Sequence, residues 1–511
     1  MAKKTAEQIA LAWKEVAVSQ IVVIGAGMGG MSAAARLQAL GHQVTVIERR
    51  DTYGGKLAKY EQDGFVFDLG PSLFTIPSVY RDLFDRTGKP LDEYLELSSP
   101  SPAFRYQFAD GTQVSLPAAD PGLIAVELEK ALGGSAKSEW LALIKQGAMA
   151  WQLTRTPILE SPLRGLRDLI KLAKRPKDIF IIKPWLSLRK LGSKAFTNPK
   201  LSFILDRYAT YTGSDPRKTP AALVTIPYVE QVFGAWHITG GITKLADAVY
   251  QRCLDLGVKF EFNSEVIKIE TKSDQISAVI TTNKSFPTQI VVANCDASLL
   301  YGKLLDHPSS KKQLRKLNKS TPSLAGFILL LAVEGRTPNL AHHNVWFPEN
   351  YDNEFDEIFG KYPKPVADPT IYACVPDDPQ MRPNENSESW FILVNAPRHS
   401  DQVDWTDPKL KNEYAKLIIN KLAERGVDLA GRIKWQVALT PSDLAERYAA
   451  PGGSIYGSSS NGAMSAFLRP SNIGSVSGLY LVGGSSHPGG GLPLVGLSAR
   501  IVAQLIGKAE K

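Results

Sequence analysis

Three glycines spaced as Gly25-x-Gly27-x-x-Gly30 follow the apolar run IVVI and precede the helix-forming stretch MSAAARLQAL. In that context each glycine has a physical task. The first permits a tight turn, the second lets a pyrophosphate approach the backbone, and the third lets helix and strand pack closely. A helix beginning near Met28 presents free N–H groups and its positive dipole end to phosphates. Glu48 closes the next strand candidate, QVTVIE, 18 residues after Gly30. A carboxylate there can accept hydrogen bonds from both ribose hydroxyls and would repel a 2′-phosphate. The competing reading is a glycine-rich turn in an unrelated α/β protein. With strand, helix and acid in register, the expectation is a dinucleotide cradle. Gly54 and Gly55, followed by Lys56, either add backbone N–H groups and a cation near the same pyrophosphate or form an ordinary turn.

The elements that must position these residues alternate strand and helix, the pattern of a parallel sheet. A second strand-rich zone runs from about Val258 to Ala293 (VKFEF, EVIKIE, ISAVI and QIVVAN), and GLYLVGG precedes a closing helix read from GLPLVGLSARIVAQLIG. The 511 residues suffice for two or three domains. The three cysteines, Cys253, Cys295 and Cys374, are far apart with no CxxC pair, so neither a disulfide framework nor a metal site is expected. The longest apolar run, LAGFILLLAV from Leu324 to Val333, is far short of the roughly 20 residues a spanning helix needs. The start MAKKTAEQIALAWKEVAVSQ is broken by Lys14 and Glu15 and does not read as a signal peptide. A cytoplasmic protein with a reducing surrounding is the expectation.

Between Leu153 and Phe196, eleven Lys and Arg stand against three Asp and Glu. Leu169, Ile179, Phe180, Ile181, Ile182 and Trp185 are interleaved among them. This is either a solvated helical face or an amphipathic patch that meets a membrane surface. The overall charge of +8 suits anionic lipid as well, and no nucleic-acid module accompanies it.

With the glycine motifs in view, VVIGAGMGGMSAAARLQALGHQVTVIERRDTYGGKLAKYEQDGFVFDLGPS resembles the FAD signature of the bacterial phytoene desaturase-type carotenoid desaturases, within the amine-oxidase-like flavoproteins. GLYLVGGSSHPGGGLPLVGLSARIVAQLIG is similar to the family's closing signature, and YATYTGSDPRKTPAAL, PYVEQVFGAWHITGGITKLADAV, AHHNVWF, DPTIYACVPDDPQMRP and PGGSIYGSSSNGAMSAFLRPSN resemble further blocks. The match runs from about Gln20 to Gly507. It implies an α/β fold with a Rossmann-like FAD-binding domain, discontinuous in sequence (18–120, 236–305 and 430–511). A substrate- and membrane-facing α+β domain would comprise 121–235 and 306–429. It further implies FAD on Gly25, Gly27, Gly30 and Glu48, with Gly54, Gly55 and Lys56 near the pyrophosphate and ribityl chain. Val266 would meet the adenine, and Gly483, Gly484, His487, Pro488, Gly489, Gly490, Gly491 and Leu492 would line the ribityl chain and flavin ring. Lys56 stands where arginine is commoner, which puts a bidentate phosphate contact in doubt.

The activity implied is removal of hydride and proton from an acyclic carotene, with oxygen or a quinone as final acceptor. A homo-oligomer is compatible. Alternatives on the same scaffold are a hydroxycarotenoid end-group desaturase, an apocarotenoid oxidase, or an amine or protoporphyrinogen-type flavin oxidase. A non-catalytic escort would tend to lose the glycine set. For the proton acceptor, His237 and Asp215 are preferred over His342, His343 and Glu230. Their bland readings are a histidine packed near Trp236, a turn residue before Pro216, a polar strand end for the two adjacent histidines, and a surface acid.

Overall fold

The strand Gln20–Ile24 is apolar from Ile21 onward because both of its faces are covered there. In the computed structural model, which describes residues 15–163, 176–462, 465 and 469–510, it is the centre of a five-stranded parallel sheet. The order is Lys259–Glu261, Gln43–Ile47, Gln20–Ile24, Ile290–Ala293 and Leu479–Leu481. Ile21 and Val23 point into one core with the helices Met28–Ala39, Lys244–Leu256 and Leu492–Ile506. Val22 and Ile24 point into another, against the antiparallel sheet of Val266–Lys272, Gln275–Thr281 and Ser285–Pro287.

The apolar run read as too short to span a bilayer becomes the strand Ala325–Glu334. It lies one strand in from the edge of a mixed seven-stranded sheet: Ile433–Leu439, Ala325–Glu334, Ser387–Ala396, Ile371–Cys374, His343–Trp346, Phe104–Gln107 and Gln113–Leu116. Phe327, Leu329 and Leu331 bury against Tyr414, Ile418 and Leu422 of the helix Pro408–Glu424, while Ile328 and Leu330 bury against Phe65 and Phe67. The hairpin Phe104–Leu116 and the strand Ile433–Leu439 join this second sheet, across the division read from the sequence. The reason is pairing: Phe104–Gln107 runs parallel to His343–Trp346, and no local pattern announces so distant a partner.

Helices Pro121–Leu132, Ala136–Thr154, Leu188–Ala195, Pro199–Thr210 and Thr225–Phe233 form a further layer over Phe104, Tyr106 and Phe347. Asp120 starts the first of them by accepting from Gly122 N and Leu123 N at 2.9 and 3.0 Å, with Pro121 in the first turn. No helix among the described residues is long and apolar enough to cross a membrane, and all three cysteines are free.

Candidate active site

The parallel sheet places Gln43–Ile47 on one side of Gln20–Ile24 and Ile290–Ala293 on the other, so a crevice opens at their carboxyl ends. The glycine loop lies in it. Gly25 has φ +98° and donates its N–H to Ile47 O at 2.8 Å, and Gly27 caps the helix Met28–Ala39. A side chain on Gly30 would collide with the Gly25 carbonyl. The second glycine pair packs onto the first: Gly54 N donates to Ala26 O at 2.9 Å, and a Cβ on Gly55 would lie 3.0 Å from Gly27 Cα. Glu48 accepts from Ala26 N at 2.8 Å and from Arg50 N at 3.0 Å, each oxygen retaining a lone pair for a ligand hydroxyl. Ser264 N donates to Glu48 O at 2.9 Å, which draws the buried start of Val266–Lys272 to the same end of the sheet.

Asn294, one residue past the strand Ile290–Ala293, was missed in the sequence reading. Its amide oxygen, turned to the loop, accepts from Gly27 N at 3.3 Å and Gly30 N at 3.2 Å. A Cβ on Gly29 or Gly483 would also run into this amide, so Asn294 joins the first and last glycine loops. Only its place at the end of an all-apolar strand could have flagged it.

Lys56 Nζ donates to Ile455 O at 2.5 Å. Its side chain keeps accessible surface yet is enclosed by protein, and burial lowers its pKa. Nearby, the buried Arg469 donates to Tyr456 O, Gly484 O and Ser458 O at 3.0, 2.7 and 2.6 Å and so ties the closing loop to the segment 456–458. Burial lowers its pKa to about 10. In the closing loop, a methyl on Gly490 would meet the Tyr456 ring, and Gly491, at φ +99°, caps the helix Leu492–Ile506. Gly489 has φ +147°, and Leu492 O accepts from Tyr80 OH at 3.1 Å. His487, preceding Pro488, gives Nε2 to Ser161 O at 3.0 Å, while its carbonyl accepts from Asn472 and Ser498, each at 2.8 Å. Cradles closed to any side chain, two helix N-termini and buried cations fit a flavin nucleotide.

His237 heads the short strand His237–Ile238, and its Nε2 lies 2.8 Å from Asp378 Oδ2. Burial opposes the Asp378 charge, but Gly240 N–H, His237 and Gln380 N–H hold its pKa below the usual carboxylate range. The His342 ring stands 4.8 Å from that of His237, and burial drives its pKa down to about 3. His342, His343 and Cys374 put ligand atoms within 4.8 Å of one another, a grouping made by strand pairing that sequence spacing does not show.

Asp215 is fully buried and committed to Arg217, accepting from Nε at 3.0 Å and Nη2 at 3.0 Å. Glu230, read as a surface acid, is instead buried, accepting from Tyr208 OH at 2.6 Å and Tyr211 OH at 2.8 Å. Of the basic segment, residues 164–175, including Leu169, lie outside the described residues. In its described part Phe180 and Trp185 are 66% and 60% exposed and pack edge to face at 5.6 Å.

The family described as flavin containing amine oxidoreductase matches residues 28–507. A 4,4'-diapolycopene oxygenase of Methylomonas is 32% identical over 95% of this chain and 98% of its own. A 1-hydroxycarotenoid 3,4-desaturase of Flavobacterium is 32% identical over 96% and 99%, and a zeta-carotene-forming phytoene desaturase of Myxococcus xanthus 30% over 95% and 93%. Among solved structures, putrescine oxidase bound to putrescine superposes with a TM-score of 0.67 at 13% identity, covering 96% of this chain and 99% of its own. A fatty acid isomerase from P. acnes gives 0.58 at 14%, covering 95% and 98%.

Proposed function

The chain belongs to the flavin-containing amine oxidoreductase family, and from that premise we propose an FAD-dependent carotenoid desaturase acting on an acyclic carotene. The observation that carries the reading is an intact double-glycine cradle in a chain about one-third identical, over nearly its whole length, to relatives named for carotenoid chemistry.

Desaturation takes hydrogen from two neighbouring carbons, one as hydride and one as proton. Bound FAD supplies the hydride acceptor. Gly25, Gly27 and Gly30, their loop braced by Asn294, would hold the pyrophosphate end, Glu48 the ribose, and the stretch from Gly483 to Leu492 the ring. The amino end of Leu492–Ile506 stabilises negative charge gathered there. The polyene spreads the positive charge left on the substrate, so a modest proton acceptor suffices. His237 fills that role: with Nε2–H given to Asp378, Nδ1 carries the free lone pair. Asp215, matched to Arg217, serves to hold its own segment.

The exposed Phe180–Trp185 pair, with Lys183 and Lys190 along the same stretch, forms a peripheral membrane contact through which a lipid-dissolved substrate enters.

The test is anaerobic mixing of FAD-loaded protein with liposomes carrying phytoene. Flavin bleaching together with an extracted carotene of longer conjugation is expected. A flavin that stays oxidised excludes phytoene, and hydroxylated acyclic carotenes and apocarotenoids then separate end-group chemistry from a non-carotenoid oxidase.

A further inference from the structure

Arg207 lies on the helix Pro199–Thr210 with 6% of its surface exposed. A buried guanidinium ordinarily distributes its five donors over a carboxylate or several carbonyls. This one does not. Nη1 donates to Tyr211 OH at 2.7 Å and Tyr106 OH at 3.3 Å, and among the described residues Nε and Nη2 donate to no group. Around its central carbon stand the rings of Phe104, Tyr106, Tyr211 and Tyr372, at 5.7, 5.6, 5.0 and 5.5 Å. The balancing carboxylate is Glu230, reached only through the Tyr211 hydroxyl. The charge is therefore offset by ring faces and a relayed carboxylate, and a second anion would overfill the site. What the site lacks is a protein acceptor for the three N–H bonds of Nε and Nη2.

A neighbouring group has the same want. Tyr372 OH meets His343 Nδ1 at 2.8 Å and Ser72 Oγ at 2.7 Å, while His343 Nε2 is buried without a partner. The His343 ring borders the same aromatics, 4.9 Å from Phe104 and 6.0 Å from Tyr372. Burial first, then the nearby His342 and Arg207, keep it neutral. The cage adjoins the closing glycine loop: a Cβ on Gly213, two residues after Tyr211, would lie 2.9 Å from the Tyr456 ring, which itself closes over Gly490. Tyr211, Tyr372 and Tyr456 each keep some accessible surface.

We propose that Arg207, within Phe104, Tyr106, Tyr211 and Tyr372, is a specificity-determining site for a neutral oxygen atom, hydroxyl or carbonyl, carried on the end of the polyene substrate. This rests on the carotenoid desaturase reading and narrows its substrate class to oxygenated acyclic carotenoids. A hydrocarbon end would displace water from these donors and leave them unmatched, and a donor stranded in that way is what makes such sites reject the analogue lacking the oxygen.

The test uses the FAD-loaded enzyme with liposomes carrying, in turn, an acyclic carotene and its end-hydroxylated and terminal-aldehyde derivatives of equal length. The wild type is expected to favour the oxygenated substrates in kcat/KM by roughly tenfold or more. Arg207→Gln is expected to raise KM for those by about 10- to 100-fold and leave the hydrocarbon within about twofold. Arg207→Lys keeps the charge opposite Glu230 and loses the fork. It replaces Arg207→Gln if that variant does not retain flavin, with a smaller loss of the same preference. Absence of preference in the wild type, or equal losses on all substrates, overturns the proposal. Should the wild type oxidise none of them, the desaturase reading fails. The site is then judged on binding, by perturbation of the flavin spectrum with the same three polyenes, equal affinities overturning it.

Discussion

At the scale of single residues, the cradle depends on atoms that are missing. Gly30 has no room for a Cβ because the Gly25 carbonyl occupies the place. Gly30→Ala is expected to yield protein without flavin absorbance, since the helix start must move away from the loop. Retention of a full complement of flavin would refute that geometry. His237 and Asp378 act as a pair. His237→Gln should lower turnover about 100-fold while flavin content stays unchanged, the range for loss of a proton-transfer group. Asp378→Asn should give a smaller loss with an altered pH profile, because it disturbs only the imidazole's orientation. Equal activity in His237→Gln would remove His237 from the proton path.

At the scale of elements, His487 joins the closing glycine loop to Ser161 at the end of the turn after Ala136–Thr154. Burial lowers its pKa to about 4 from the usual 6.5. Between those values the unfolded chain binds the proton and the folded chain does not. Stability therefore rises with pH across that window and falls on acidification from 6.5 toward 4, by about 3 kcal/mol at most. Thermal unfolding measured from pH 7 to 4 should show the loss. His487→Gln should flatten part of it, and an unchanged slope in that variant would place the effect in other groups, His342 first.

At the scale of the whole molecule, the glycine-loop crevice belongs to the parallel sheet and the histidine–aspartate pair to the junction with the seven-stranded sheet, so the proposed chemistry would lie between two cores. Phe180 and Trp185 stand exposed on the helical layer. Phe180→Ser with Trp185→Ser is expected to reduce co-flotation with anionic liposomes at least severalfold, leaving flavin content and Tm nearly unchanged, because neither ring supports a core. Undiminished flotation would locate membrane contact elsewhere.

The cofactor end was legible in the sequence because it is local. Gly25, Gly27, Gly30 and Glu48 sit on consecutive elements, and backbone sterics at each glycine restrict it to one use. The parallel strands were legible for the same reason, apolar runs of strand length separated by a helix. Asn294, Arg469, Asp378 and Arg207 were not, since each matters only beside residues far away in the chain. The hairpin Phe104–Leu116 likewise showed its strands but not its partner. Asp215, preferred in the sequence as a proton acceptor, and Glu230, weighed for the same role, showed their partners only in the fold: Arg217 for one and two tyrosines for the other. The sequence by itself determined the glycine loop between strand and helix, whose contacts span few residues. Tertiary structure alone decided which buried polar groups are matched and which remain to meet a substrate, because hydrogen-bond satisfaction is a property of neighbours in space.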